Sequence, residues 1–501
     1  MPTARSWTDS FTDLGHLLRF RGQTVRRPRA AAIAATVLLT ITLAAMVVPT
    51  WVDGAGLPGR ADQVGFYLPS LLTGFLILSV VSSVSSGGGR ELLPRDQAAI
   101  HPITTTTEHL GALALSPLNF AFLFQVWILL GASAYVGGGR GWLASQLLVL
   151  AWIAFATAFA QVIGWSIEIV RRGEHGVAIV RTASVVGALV AVGLQLAGQF
   201  TPLLNAGFSR RLAALIDGTA DGIWLAVPAL LALTVLMVVV GTVPAKAALA
   251  RSPRDELKSD SGSHPARPLP ASDGAMLVRI DRASVWRSVP MRRGLIMLAV
   301  SPGLVAMAGA MNWTSVLVLP GLVISGVALL FGVNVWCLDG RGVLWRESLP
   351  VSARAVFRAR ARVLAEWLMG ATAITLLLAS VRAGLPTLAQ GITILTMVAV
   401  ITLQVVAVAM SWSGRRPFSV NLRSARATPA PPIVMVGYSS RLALSTTLTA
   451  LTFSAASTLW WWLSPVIAVP FVIWSLLRLR RAERRWVAPA PRAAVVMTVA
   501  G

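Results

Sequence analysis

Gly141-Trp-Leu-Ala-Ser-Gln-Leu-Leu-Val-Leu-Ala-Trp-Ile-Ala-Phe-Ala-Thr-Ala-Phe-Ala-Gln-Val-Ile-Gly-Trp-Ser-Ile167 carries no charged side chain. At about 1.5 Å per residue, a helix of this length exceeds the roughly 30 Å of hydrocarbon in a bilayer. Arg140 precedes it, and Glu168, Arg171 and Arg172 follow. Further charge-free runs lie at 30–51, 64–89, 110–139, 182–209, 222–245, 294–338, 383–414 and 442–477. A soluble chain 55% hydrophobic, with mean hydropathy +0.71, would expose large apolar patches, so a bilayer is the natural solvent.

The runs predict an all-α polytopic membrane protein of about twelve spans. They lie near 31–52, 64–86, 112–136, 143–167, 182–198, 223–243, 294–311, 315–337, 364–381 and 387–411, with a final pair inside 442–477. That last run is thin for two crossings, so one of them is expected to be short, tilted or re-entrant. In this zigzag 38 of the 43 Lys and Arg residues fall on one side; only Arg60, Arg140, Arg210, Arg211 and Arg382 fall on the other. Basic loops stay cytoplasmic during insertion, which places both termini inside. The net charge of +23 therefore reports topology, and no nucleic-acid partner is expected.

Before the first span, Trp7, Phe11, Leu14 and Leu18 recur at helical spacing and predict a helix lying in the membrane surface. The first apolar run is long enough to span and lacks a small-residue cleavage site, so it is expected to be a retained anchor. Outside, 199–221 is expected to form short interfacial helices. The chain divides into a first six-span half (1–245), a flexible Ser/Pro-rich linker (246–275) and a second half (276–501) with a basic tail. Cys337 is the only cysteine, which excludes an intrachain disulfide.

The halves share a plan. Each begins with a basic interfacial segment and two spans, followed by a cytoplasmic Pro and small hydroxyl residues. The first reads His101-Pro-Ile-Thr-Thr-Thr-Thr-Glu108, and the second Leu349-Pro-Val-Ser-Ala-Arg354. Pro102 and Pro350 align without a gap over a dozen residues. Proline fixes a helix start, and a hydroxyl two or three residues on can cap it. Thr105 and Glu108 have capping-box spacing, whereas the Ser352 copy lacks the acid. Six spans per half make the repeat parallel, about an axis along the membrane normal.

At these residues the chain resembles the membrane-spanning permease of type-2 ATP-binding-cassette (ABC) exporters, with two six-span halves fused. Leu349-Pro-Val-Ser352 with the Arg-rich helix after it carries the second-half likeness. Arg90-Glu-Leu-Leu-Pro-Arg-Asp-Gln97 through Pro117-Leu-Asn119 carries the first. The resemblance implies cytoplasmic helices that dock onto a separate ATPase, with two ATPase copies for one fused chain. It makes Pro102, Thr104, Thr105, Glu108, Pro350, Ser352 and Arg354 the coupling residues. No Arg in the first half matches Arg354, so the two docking surfaces are expected to be unequal.

No GxxxxGK[S/T] loop exists, and Lys246 and Lys258 are the only lysines, so ATP would act through the partner chain and no cofactor would bind this one. The acids lie in loops or near span ends, with Glu168 and Glu366 closest to the bilayer; this disfavours the competing secondary transporter. Gln125, Gln161, Gln195, Asn334 and Gln404 are the main polar side chains within spans. They are candidates for a translocation path or, more simply, for interhelical hydrogen bonds. His16, His101, His109, His175 and His264 show no metal-ligand spacing, and no catalytic constellation is expected. A bacterial plasma-membrane exporter permease is the leading expectation, ahead of a secondary carrier or a non-transporting membrane scaffold.

Overall fold

The computed structural model describes residues 7–23, 28–57, 59–85, 103–116, 120–251, 268–308, 311–420, 430–457, 460 and 462–501. Among these the secondary structure is helical, without strands. The chain forms two compact units, Met1–Arg254 and Asp255–Gly501.

The first unit comprises α1 (Trp7–Gln23), α2 (Pro28–Val47), α3 (Ala61–Ser85), α4 (Thr105–Leu115), α5 (Phe120–Arg171), α6 (Gly176–Leu196), α7 (Phe208–Ile216) and α8 (Ile223–Leu249). The long α5 is two spans joined at Gly138, within the turn expected at 137–142. There φ is +56°, and a Cβ would lie 2.8 Å from the Gly56 Cα, so glycine serves both the conformation and the close approach. The expected N-terminal helix forms as α1, in which Trp7, Phe11 and Leu18 are exposed and Ser10 is buried. Of the two short helices formed within 199–221, Phe200–Leu204 and α7, the second buries Leu212 and Ile216 against α3 and α5.

The second unit comprises α9 (Asp273–Arg287), α10 (Val289–Ala308), α11 (Leu319–Phe331), α12 (Gly342–Glu347), α13 (Ala353–Ala383), α14 (Leu388–Ser413), α15 (Pro432–Ser457), α16 (Leu463–Val487) and α17 (Pro489–Ala500). Asn312 caps the short helix that precedes α11, and Gly384 (φ +72°) ends α13, both at predicted outer turns. Below α11 the chain tightens into a 3₁₀ segment, Gly332–Leu338, broken at Asn334. Irregular backbone at this depth survives only where protein satisfies it. Here Asn334 donates to the Phe418 carbonyl, and Arg360 donates to that of Val335.

Nine helical stretches among the described residues are long and apolar enough to cross a membrane, where the sequence predicts twelve spans. They are α3, both arms of α5, α6, α8, Trp313–Leu338, α13, α14 and α16. Three of the expected spans stand outside this set: α2, whose described apolar stretch is Ala35–Trp51; α10, which follows α9 across an 83° bend; and α15, which carries Arg441 among many hydroxyls. Val185, Leu189 and Leu225 are among many large apolar side chains left exposed on the spans, a surface suited to lipid.

Candidate coupling site

The two Pro–hydroxyl segments make the same local structure. In the first unit Thr104, extended at φ −74° and ψ 154°, caps α4 by accepting the Thr107 N–H at 3.1 Å. Its hydroxyl also lies 2.8 Å from that of Thr107 and 3.3 Å from that of Ser10, tying α4 to α1. In the second unit Ser352, at φ −66° and ψ 136°, caps α13 by accepting the Ala355 N–H at 3.2 Å. In the gapless pairing of Pro102 with Pro350, Thr104 falls on Ser352. Pro102 itself, with the whole Arg90–Gln97 and Pro117–Asn119 stretches, lies outside the described residues.

One detail of the capping expectation is corrected. Thr105 is already helical, so the cap is Thr104 and the Thr105–Glu108 capping box does not form; Glu108 sits in the first turn, where its charge favours the helix dipole. Replacing either cap by alanine is expected to cost about 1 kcal/mol. Thr104→Ala should cost more than Ser352→Ala, because it also releases α1. Thermal melts, with limited proteolysis of the N-terminal helix, would check both.

Arg354 and Arg358 project from the exposed face of α13, and their Nε atoms lie 3.7 and 2.8 Å from Glu483 of α16. Arg362 continues the stripe one turn on and pairs with Glu366, which Arg282 of α9 also grips in a bidentate bridge. Between α9 and α13 runs an open groove of about 330 Å³ lined by Val278, Ser352, Arg354, Arg358 and Arg362. Thr106 stands where Arg354 does, so the basic face belongs to the second unit.

Behind this face lies a buried ionic cluster that sequence reasoning missed. Arg360 donates from Nε to Asp281 (2.9 Å) and from Nη2 to both oxygens of Asp339 (2.9 and 2.8 Å). Arg346 donates to Asp281 at 2.9 Å and to both oxygens of Asp339. Burial pushes the Asp339 carboxyl up, but the charges of Arg360 and Arg346 prevail and hold it below the usual carboxylate range. Four side chains from α9, α12, α13 and the loop after the 3₁₀ segment thus lock α9 onto the capped helix α13. Nothing in the spacing of four charges spread over eighty residues signals their meeting.

In the first unit a neutral side chain holds the capped helix α4 against α5 and α8. His109, fully buried, accepts the Trp165 indole N–H at Nδ1 (3.1 Å) and donates from Nε2 to the Val238 carbonyl (3.2 Å). Burial pushes its pKa down to about 4.

The candidate path residues are held locally. Gln161 accepts from Ser83 (3.3 Å), Gln404 accepts from Thr449 (3.1 Å), and Asn334 bonds Phe418; Gln195 is buried and Gln125 half-buried. Glu168 pairs with Arg171 and Arg172, both at 3.0 Å. Cys337 is buried. Comparison with protein-family models, with curated proteins and with solved structures found no match.

Proposed function

We propose that this chain is the membrane permease of an ATP-driven exporter, coupled to a separate ATPase, in two copies, through the capped cytoplasmic helices. The observation that carries the reading is the repeated junction: a surface helix (α1, α9) packed on a helix capped by Thr104 in one unit and by Ser352 in the other. In this reading twelve spans form two parallel six-span halves in a bacterial plasma membrane. Both termini are cytoplasmic, and ATP is handled only by the partner.

The lever is mechanical. From its cap, α13 runs 31 residues, about 45 Å, without a break. A push delivered at Ser352 and Arg354 therefore travels as rigid-body motion into the bilayer. The ionic cluster makes α9 follow, because four buried charges cannot part without large desolvation costs. In the first unit α4 ends at Leu115, so its load passes through a second helix.

The test is co-purification of the tagged chain in mild detergent, with mass spectrometry and an ATPase assay. A nucleotide-binding subunit should accompany the chain. Arg354→Glu with Ser352→Pro should lower its recovery and its coupled ATP hydrolysis at least about tenfold, since reversing a docking charge costs more than about 1.4 kcal/mol. Membrane insertion should be unchanged. Normal coupling in that variant would remove the docking assignment. A clean chain without ATPase, under conditions where control complexes survive, would favour a secondary carrier.

A further inference from the structure

In the second unit the described carboxylates are almost all committed. Asp281 and Asp339 serve Arg346 and Arg360; Glu366 serves Arg282 and Arg362; Glu483 serves Arg354 and Arg358; and Glu347 meets Arg492 at 3.0 Å. The remaining one, Asp273, opens α9. At the end of the unit where α14 finishes, α15 starts and α16 finishes, a set of arginines is left facing aromatic rings. Arg416 and Arg441 sit 4.6 and 5.1 Å from the centre of the Trp412 ring, and Arg478 lies 5.1 Å from that of Trp474. Arg415 and Arg441 are close enough to Arg478 to repel its charge.

Beside this set lies a cavity of about 190 Å³. Trp336 and Trp486 help to line it, stacked at 3.6 Å between ring centres and 1° from parallel. Arg415, Arg481, Arg485 and Arg492 also line it, and no carboxylate does. Arg481 and Arg485 are exposed, while Arg415 is tied to Ser411 at 2.8 Å. The indole N–H groups of Trp336, Trp412 and Trp486 and the hydroxyl of Tyr438 are buried without an acceptor. Cations and unused donors therefore gather where described acceptors are scarce. The exposed guanidinium groups of Arg415, Arg481 and Arg485 leave donors open toward the cavity, and an anion there would satisfy them together.

We propose that this cavity binds a phosphate-type oxyanion, held by Arg415, Arg481 and Arg485 beside the Trp336–Trp486 stack. Guanidinium forks match a phosphate, and the volume admits one such group with its first waters. Two sources share this chemistry: the headgroup of an anionic phospholipid, and a soluble phosphate. The lipid source rests on the proposed topology, which puts these helix ends at the cytoplasmic leaflet, where basic pockets between spans meet anionic headgroups.

Native mass spectrometry and thermal melting of the delipidated full chain would decide, with phosphatidylglycerol, phosphatidylcholine and inorganic phosphate as probes. The variants are Arg481→Gln with Arg485→Gln, and as a matched control Arg480→Gln with Arg484→Gln. The control pair is exposed on the same helix end and removes the same charge, but does not line the cavity. Phosphatidylglycerol should be retained about tenfold better than phosphatidylcholine. The Arg481/Arg485 variant should lose that preference and the control should keep it. If millimolar phosphate alone raises the melting temperature in a manner lost with Arg481 and Arg485, and displaces the lipid, the anion is soluble. If it does not displace the lipid, the anion is the headgroup. Absence of preference for either anion, or equal weakening in both variants, overturns the site. No ATPase enters the experiment, so a failure of the exporter reading would leave its outcome intact.

Discussion

Arg360→Met is expected to lower the melting temperature of the purified chain by on the order of 10 °C, the largest effect of any single substitution considered. Arg360 is 1% exposed and Asp281 is fully buried, so the substitution removes one charge from a set of four that balances only as a whole. Asp281 and Asp339 would then share Arg346 alone, with several acceptor positions facing protein. Stranding a buried charge costs about 3–5 kcal/mol, more than the hydrophobic gain from methionine returns. Arg360→Lys should fail almost as badly. An ammonium cannot reach two carboxylates and the Val335 carbonyl from one planar fork. The informative partner is Arg360→Met with Asp281→Asn, which leaves Arg346 paired with Asp339 and restores neutrality. It should recover more than half of the lost stability, read by fluorescence-detected size exclusion after heating. A single variant melting within about 2 °C of the parent would show that the cluster contributes little to holding α9 on α13.

The parts of the fold that follow from hydrophobicity and turn chemistry were legible in the sequence. Helix α1 lies where Trp7, Phe11, Leu14 and Leu18 recur at helical spacing, and the turn at Gly138, the helix start at Trp313 and the end of α13 at Gly384 lie between the spans expected on either side of them. Helix starts were legible to within a residue. Pro102 and Pro350 indicated where α4 and α13 begin, but hydroxyl spacing alone favoured Thr105 over Thr104, because four threonines in a row offer the same chemistry. Span counting was less secure. An apolar run records freedom from charge, whereas the many hydroxyls of α15 lower the hydropathy of a run that carries few charges; the 83° bend between α9 and α10, by contrast, falls at the basic segment that precedes the run from Gly294. Least legible was the ionic cluster. Asp281 and Arg346 look like ordinary loop charges until folding brings α9, α12 and α13 together. Charge asymmetry orients such residues relative to the membrane and says nothing about which of them will pair.

His109 should give the first unit an acid-labile hinge. Its side chain fills the junction of α4, α5 and α8 so closely that a Cβ on Gly241 would lie 2.7 Å from the imidazole Cε1. Accepting at Nδ1 from Trp165 while donating at Nε2 to Val238 requires the neutral ring, since imidazolium has no lone pair to accept with. With a folded pKa near 4 against an ordinary 6.5, the unfolded chain takes up the proton first as pH falls. Stability from this residue is therefore complete above about pH 6.5, declines through the window between 6.5 and 4, and is lost below it. The loss between pH 7.5 and 5 should be about 2 kcal/mol. His109→Gln can keep both hydrogen bonds without titrating, and should flatten the melting temperature over that window while costing little at pH 7.5. Above pH 5 most carboxylates stay ionised, so the difference between parent and variant isolates the imidazole. Parallel pH curves for the two would mean that protonation at His109 leaves the packing of α4 on α8 undisturbed. The junction would then owe its acid response to other groups.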